Sequence, residues 1–134
     1  MKQVELAVRS HLDDVFRPIG MTALQYTALT VLERHPDLTS AQLARNSFVT
    51  AQTMADMVTA LQERGLIERH RDAMDRRRLV LALTRDGRAL LSRYRGKVAA
   101  LEEQMLAGLS DRDARTLRRS LLTCRANLAE EPAH

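Results

Sequence analysis

Ten consecutive residues, Arg69 to Arg78, read RHRDAMDRRR, with five arginines against two aspartates. The guanidinium stays charged at neutral pH and offers a planar fork of donors, which matches phosphate and carboxylate oxygens. This local excess of +3 is most of the +4 carried by the whole chain. Upstream, Thr50, Gln52, Thr53 and Asp56 lie at the start of a helix-period apolar pattern. A glutamine amide can pair with adenine, and a threonine can reach a base, a thymine methyl or a phosphate. Free N–H groups at a helix start also bind phosphate. The chemistry suggested by these residue types is recognition of a polyanion.

Catalytic chemistry has no comparable support. The chain holds no G-x-S-x-G, no phosphate-binding glycine loop and no H-E-x-x-H. Asp72 and Asp75 are close in sequence, but among arginines they read as charge partners. His11, His35, His70 and His134 match no zinc spacing, and no metal or cofactor is expected. His70, inside the basic segment, reads as a phosphate contact. The one cysteine, Cys124, cannot form a disulfide within the chain.

The 134 residues suit a single domain, 1–134. With 45% hydrophobic and only 3% aromatic residues, the core must come from Leu, Val, Ile, Met and Ala, which favours helices. No run of eighteen apolar residues occurs, and the first sixteen residues mix charge and apolar side chains too finely for a secretory signal. A cytoplasmic protein with no membrane partner is expected.

Helix starts are legible. Thr22-x-x-Gln25 and Thr39-x-x-Gln42 are capping boxes, and Thr50, Thr84 and Ser110 are further N-caps. Six helices are predicted: about Lys2–Phe16, Ala23 to about His35, Ser40–Asn46, Ala51–Arg64, one that begins after Thr84 and runs to about Gly108, and Asp111 to about Ala129. Pro18, Gly20, Pro36 and Gly65 punctuate them. Between the fourth and fifth helices, Leu66–Arg69 and Leu79–Leu83 read as two strands of a hairpin whose loop carries the arginines. The tail Glu130–His134 reads as frayed.

A short helix, a turn, a helix and a charged hairpin are the order of a winged helix-turn-helix. Leu43, Ala44, Phe48, Val49, Met54, Val58 and Leu61 are its expected core, with Phe48 and Val49 plugging the turn. The fourth helix would then be a recognition helix, which meets base edges through its first residues. The segments VTAQTM, LQERGLIER and Asp75-Arg76-Arg77 followed by LALTRDG, flanked by MTALQYTALTVLERHP and MLAGLS, resemble the MarR family of bacterial and archaeal transcription regulators. The resemblance covers nearly the whole chain. It implies a mainly α fold with a β-hairpin wing and long dimerisation helices, with residues 22–84 as the DNA-binding lobe and 1–18 and 85–129 forming the dimer. It further implies a homodimer on an inverted-repeat duplex, commonly a repressor released by a small-molecule signal. The family's wing motif Asp-x-Arg falls on Asp75 and Arg77, the aspartate orienting the arginine into the minor groove, aided by Arg76. Arg69, Arg71 and Arg78 are candidates for phosphate contact. Ala73 stands in the stretch where the family commonly has proline, which implies a wing that orders on binding.

Periodicity supports a dimer independently. Leu91, Tyr94, Val98, Leu101 and Met105, and then Ala114, Leu117, Leu121, Cys124 and Leu128, recur at helix-seam spacing. A fifth helix of about 24 residues would be roughly 36 Å long, more than one small lobe can cover. Cys124 is expected to be a buried apolar residue of this seam before it is a redox sensor. An effector pocket, by analogy, would involve His11, Phe16, Tyr26 and Tyr94. The alternative function is a winged-helix protein-interaction module that does not read DNA, which would have no need of Arg76 and Arg77 beside Thr50, Gln52 and Thr53.

Overall fold

The computed structural model describes residues 1–129; the tail expected to fray lies outside the described residues. Among the described residues, six α-helices, one 3-10 turn and two strands follow in the order α1 (Lys2–Phe16), the 3-10 turn (Arg17–Ile19), α2 (Ala23–Arg34), α3 (Ser40–Asn46), α4 (Ala51–Glu63), β1 (Ile67–Arg71), β2 (Leu79–Leu83), α5 (Arg85–Leu106) and α6 (Asp111–Ala129). The expected fold class, mainly helical with a small hairpin, is what the chain adopts. Strand β1 starts one residue later and ends two residues later than expected, because Leu66 is taken up in ending α4.

The helix ends follow from their capping residues. Both capping boxes form: Thr22 Oγ1 accepts from Gln25 N while Gln25 Oε1 accepts from Thr22 N, and Thr39 and Gln42 do the same. Helix α4 begins at Thr50, whose hydroxyl accepts from Thr53 N at 3.1 Å. It ends where Gly65 takes a left-handed φ of 73°, with Gly65 N donating to Gln62 O and Leu66 N to Leu61 O. Thr84 then starts α5, its Oγ1 accepting from Gly87 N at 3.0 Å and donating to Gly65 O at 2.6 Å. A Cβ on Gly87 would lie 2.2 Å from Leu66 O, so only glycine lets α5 approach the backbone between α4 and β1 this closely.

Two compact units divide the chain, residues 1–98 and the residues from Ala99 onward. The first holds the core. Phe16, Leu29, Leu43, Met54, Val58, Leu61, Val80, Leu81 and Leu91 are almost fully buried, and Leu12, Val15, Val49 and Val98 pack on the cluster at partial exposure. The antiparallel hairpin pairs Ile67 with Leu83 and Arg71 with Leu79, and Leu38 adds a single bridge to Leu81. Truncating a fully buried aromatic such as Phe16 costs about 3–5 kcal/mol by lost contacts and the cavity left behind.

Two packing expectations need correction. Phe48 does not plug the turn between α3 and α4; it is 54% exposed with φ 57°. It fills at the end of α3 the left-handed post that Gly65 fills at the end of α4, with Val49 N donating to Ala44 O. A side chain there points away from the turn, and Val49 and Met54 fill the interior. The apolar seam of α5 is also not one continuous surface. Leu91 and Tyr94 are buried in the chain's own core and Val98 packs against it, whereas Met105 is exposed. Cys124, expected to be buried in the α6 seam, is exposed in the single chain, as are Leu117, Leu121 and Leu128 of the same seam, and a seam between two copies is not tested by it.

The second unit, described by itself, comprises the end of α5 and all of α6. Ser110 caps α6 by accepting from Asp113 N at 3.1 Å. No described residue of α6 is buried, although Leu117, Leu121, Leu122 and Leu128 are large and apolar.

Candidate nucleic-acid interface

The start of α4 and the tip of the hairpin both belong to the first unit. The α4 start presents Thr50, Gln52, Thr53 and Asp56, all exposed. Met54, Met57, Val58 and Leu61 hold the opposite face in the core, which fixes the direction of the polar face. Thr50 Oγ1 donates to Thr53 Oγ1 at 2.9 Å, and Gln52 Nε2 donates to Asp56 Oδ1 at 3.1 Å. The second contact uses one N–H of the Gln52 amide and leaves its carbonyl oxygen and second N–H, one acceptor and one donor. Asp56 thus holds the Gln52 amide.

Two aspartates fold the hairpin tip. Asp72 Oδ1 accepts from Met74 N, and Asp75 Oδ1 accepts from Arg77 N, each at 3.1 Å. These are Asx turns, which supply locally the order a proline would otherwise give. Arg78 N donates to Asp75 O and Asp72 N to Arg78 O, both at 3.0 Å, closing the loop. Arg77 Nε lies 3.3 Å from Asp75 Oδ1, yet the Arg77 side chain is 92% exposed. It is thus aimed by one contact and otherwise offered to solvent. Arg76 is exposed beside it, and its carbonyl accepts from Arg71 Nη1 at 3.3 Å. Arg69 and Arg71 are exposed along β1.

Other expected contacts have a different setting. Arg78 is half-buried and spends its guanidinium within the fold, on Asp72 Oδ2 and Gln42 Oε1, both at 3.0 Å. His70 Nε2 lies 3.1 Å from Asp37 Oδ1, and Asp37 itself has a left-handed φ of 65°. The reading of Asp72 and Asp75 as charge partners agrees with both ion pairs. Sequence reasoning missed the second task of Gln42, which its place in a capping box did not reveal. It also missed Arg64, whose guanidinium donates to Ile19 O at 2.7 Å and holds the 3-10 turn to the end of α4.

Of the four candidate effector residues, the fold brings three together. Phe16 stacks on Tyr26 with ring centroids 4.4 Å apart, and meets Tyr94 at 5.3 Å with the rings tilted by 50°. Burial pushes the Tyr26 phenol above its ordinary value of 10.0, with the Arg95 guanidinium opposing the shift and the Glu33 carboxylate adding to it. His11 is exposed and makes no part of this ring cluster. The cluster as folded is packed core. Among the described residues no group of three or more His, Cys, Asp or Glu is placed to hold a metal, and no helix is long and apolar enough to cross a membrane.

Comparison with known proteins gives this architecture its relatives. The family model that matches residues 19–78 is that of the MarR family. The chain is 32% identical over 119 residues to the HTH-type transcriptional repressor Rv2887 of Mycobacterium tuberculosis, covering 89% of this chain and 86% of that protein. Among solved structures, the transcriptional repressor CouR bound to a 23-mer DNA duplex is similar at 32% identity and a TM-score of 0.77, covering 93% of this chain and 88% of that one. The MarR-family regulator of Rhodococcus sp. RHA1 shares the fold, with a TM-score of 0.83 at 22% identity over 92% and 88% of the two chains. With a winged helix-turn-helix fold and relatives of this closeness, the chain belongs to the MarR family of transcriptional regulators.

Proposed function

We propose that this protein is a homodimeric, sequence-specific DNA-binding repressor of the cytoplasm. Thr50, Gln52 and Thr53 enter the major groove, and Arg77, aimed by Asp75 and aided by Arg76, enters the adjacent minor groove. Arg69 and Arg71 contact phosphate. The observation that carries this reading is Arg77, held by Asp75 and yet 92% exposed at the tip of a folded loop. A narrow minor groove concentrates negative potential and draws an arginine presented in this way. A related repressor, 32% identical, has been solved on a DNA duplex, which supports carrying DNA binding to this chain.

The dimer is supported by the exposed apolar side chains of α6, Leu117, Leu121, Leu122 and Leu128, and by Val4 and Leu6 of α1. Such a surface on a soluble regulator calls for a partner, and a second copy is the economical one. Two-fold symmetry then requires an inverted repeat with half-sites about one helical turn apart. Release by a small molecule is supported by a fold neighbour solved with p-coumaroyl-CoA, at 22% identity.

Hydroxyl-radical footprinting on a bound duplex tests the reading. Each half-site is expected to show one protected stretch for the recognition helix and a flanking one for the wing, mirrored about a dyad. Protection without mirror symmetry, or without the flanking stretch, would contradict the dimer or the wing respectively.

A further inference from the structure

We propose that Arg78 is a positioning residue that acts through Arg77: by tying the wing to the start of α3, it fixes where the wing sits relative to the recognition helix. The inference rests on the reading that Arg77 enters DNA. Composition alone would class Arg78 with its neighbours as a phosphate ligand, but its geometry differs from theirs. Its side chain is 39% exposed, against 92% for Arg77. One guanidinium nitrogen donates to Asp72 Oδ2 and the other to Gln42 Oε1.

Both acceptors are themselves committed. Asp72 uses its other oxygen to hold Met74 N at the wing tip. Gln42 Oε1 also accepts from Thr39 N at 2.9 Å, closing the capping box of α3. One carbonyl oxygen therefore serves the start of α3 and the wing together. Helix α3 packs on α4, so a continuous path runs from recognition helix to α3, Gln42, Arg78, Asp72 and the tip. A guanidinium paired in this way is neutralised by Asp72 and holds the wing in the one placement where both grooves can be engaged at once. Without the tie the wing samples other placements, and apparent affinity falls by the fraction of time it is correctly placed.

The test measures binding of the full chain to a duplex enriched from a randomised pool, across a range of salt. Replacing Arg78→Met together with Asp72→Asn removes both charges of the pair, leaves the net charge unchanged and keeps an oxygen for Met74 N. It is expected to weaken binding about tenfold, as if each of the two wings were competent roughly a third of the time. The slope of log affinity against log salt stays unchanged. Added to Arg77→Ala, the double replacement costs less than about twofold, because the arginine whose placement the tie secures is gone. A slope reduced by about 0.9 per subunit would make Arg78 a phosphate ligand and overturn the proposal. So would unchanged affinity, or a full tenfold loss in the Arg77→Ala background. Should Arg77→Ala by itself leave the parent's binding intact, the underlying wing reading fails first, and the two failures are distinguished.

Discussion

Replacing Arg77 with alanine should weaken DNA binding in a manner set by charge. The side chain is almost wholly exposed and touches only Asp75 within the fold, so the melting temperature should stay at the parental value. Each subunit of a dimer loses one guanidinium. A hydrogen bond to a charged group is worth about 1.5–3 kcal/mol, so two give about 3–6 kcal/mol, or roughly a hundred- to ten-thousandfold at low salt. If each arginine displaces about one counterion equivalent, the slope of log affinity against log salt flattens by about 1.8 for the dimer. Raising salt from about 50 to about 200 mM then narrows the gap between parent and variant by about twelvefold. Fluorescence anisotropy of a labelled duplex at four or more salt concentrations reads both quantities. A loss of affinity with parallel slopes would refute the argument, since it would mean that Arg77 supports the wing's shape and not its charge.

Gln52→Ala should relax preference at one or two base pairs of each half-site by about 1–3 kcal/mol, leaving other positions unchanged, as read by binding to single-site operator variants. Gly87→Ala should destabilise the fold by about 1–3 kcal/mol in a denaturant melt, against the gain of up to about 1 kcal/mol that helix propensity alone assigns, because its Cβ would meet the Leu66 carbonyl at 2.2 Å. Leu121→Asp, on an exposed face of α6, should leave the secondary structure intact by circular dichroism and shift sedimentation toward the monomer; an unchanged dimer would place the interface elsewhere.

Much of the fold was legible because its helix starts carry local chemistry. Thr22-x-x-Gln25, Thr39-x-x-Gln42, Thr50, Thr84 and Ser110 each place a side-chain oxygen where an orphan N–H needs it, and all act in the folded chain. The Asp-x-Arg pairing of Asp75 and Arg77 was implied by the family resemblance, and the contact forms within three residues. What sequence could not convey was the identity of distant partners. Periodicity marked Leu91, Tyr94 and Leu121 alike as seam residues, but it does not say whether the covering surface comes from the same chain, and Leu91 and Tyr94 meet the core around Phe16. Phe48 misled because an apolar residue beside a turn reads as core, whereas its left-handed backbone turns it outward. The contact of Arg78 with Gln42 was not legible because the two lie 36 residues apart.

Selection of bound duplexes from a randomised pool at near-physiological salt tests the central claim most directly. The account predicts an enriched inverted repeat, with half-sites about one helical turn apart and AT-rich flanks where each wing arginine lies. Binding that tracks salt alone and enriches no sequence would contradict it.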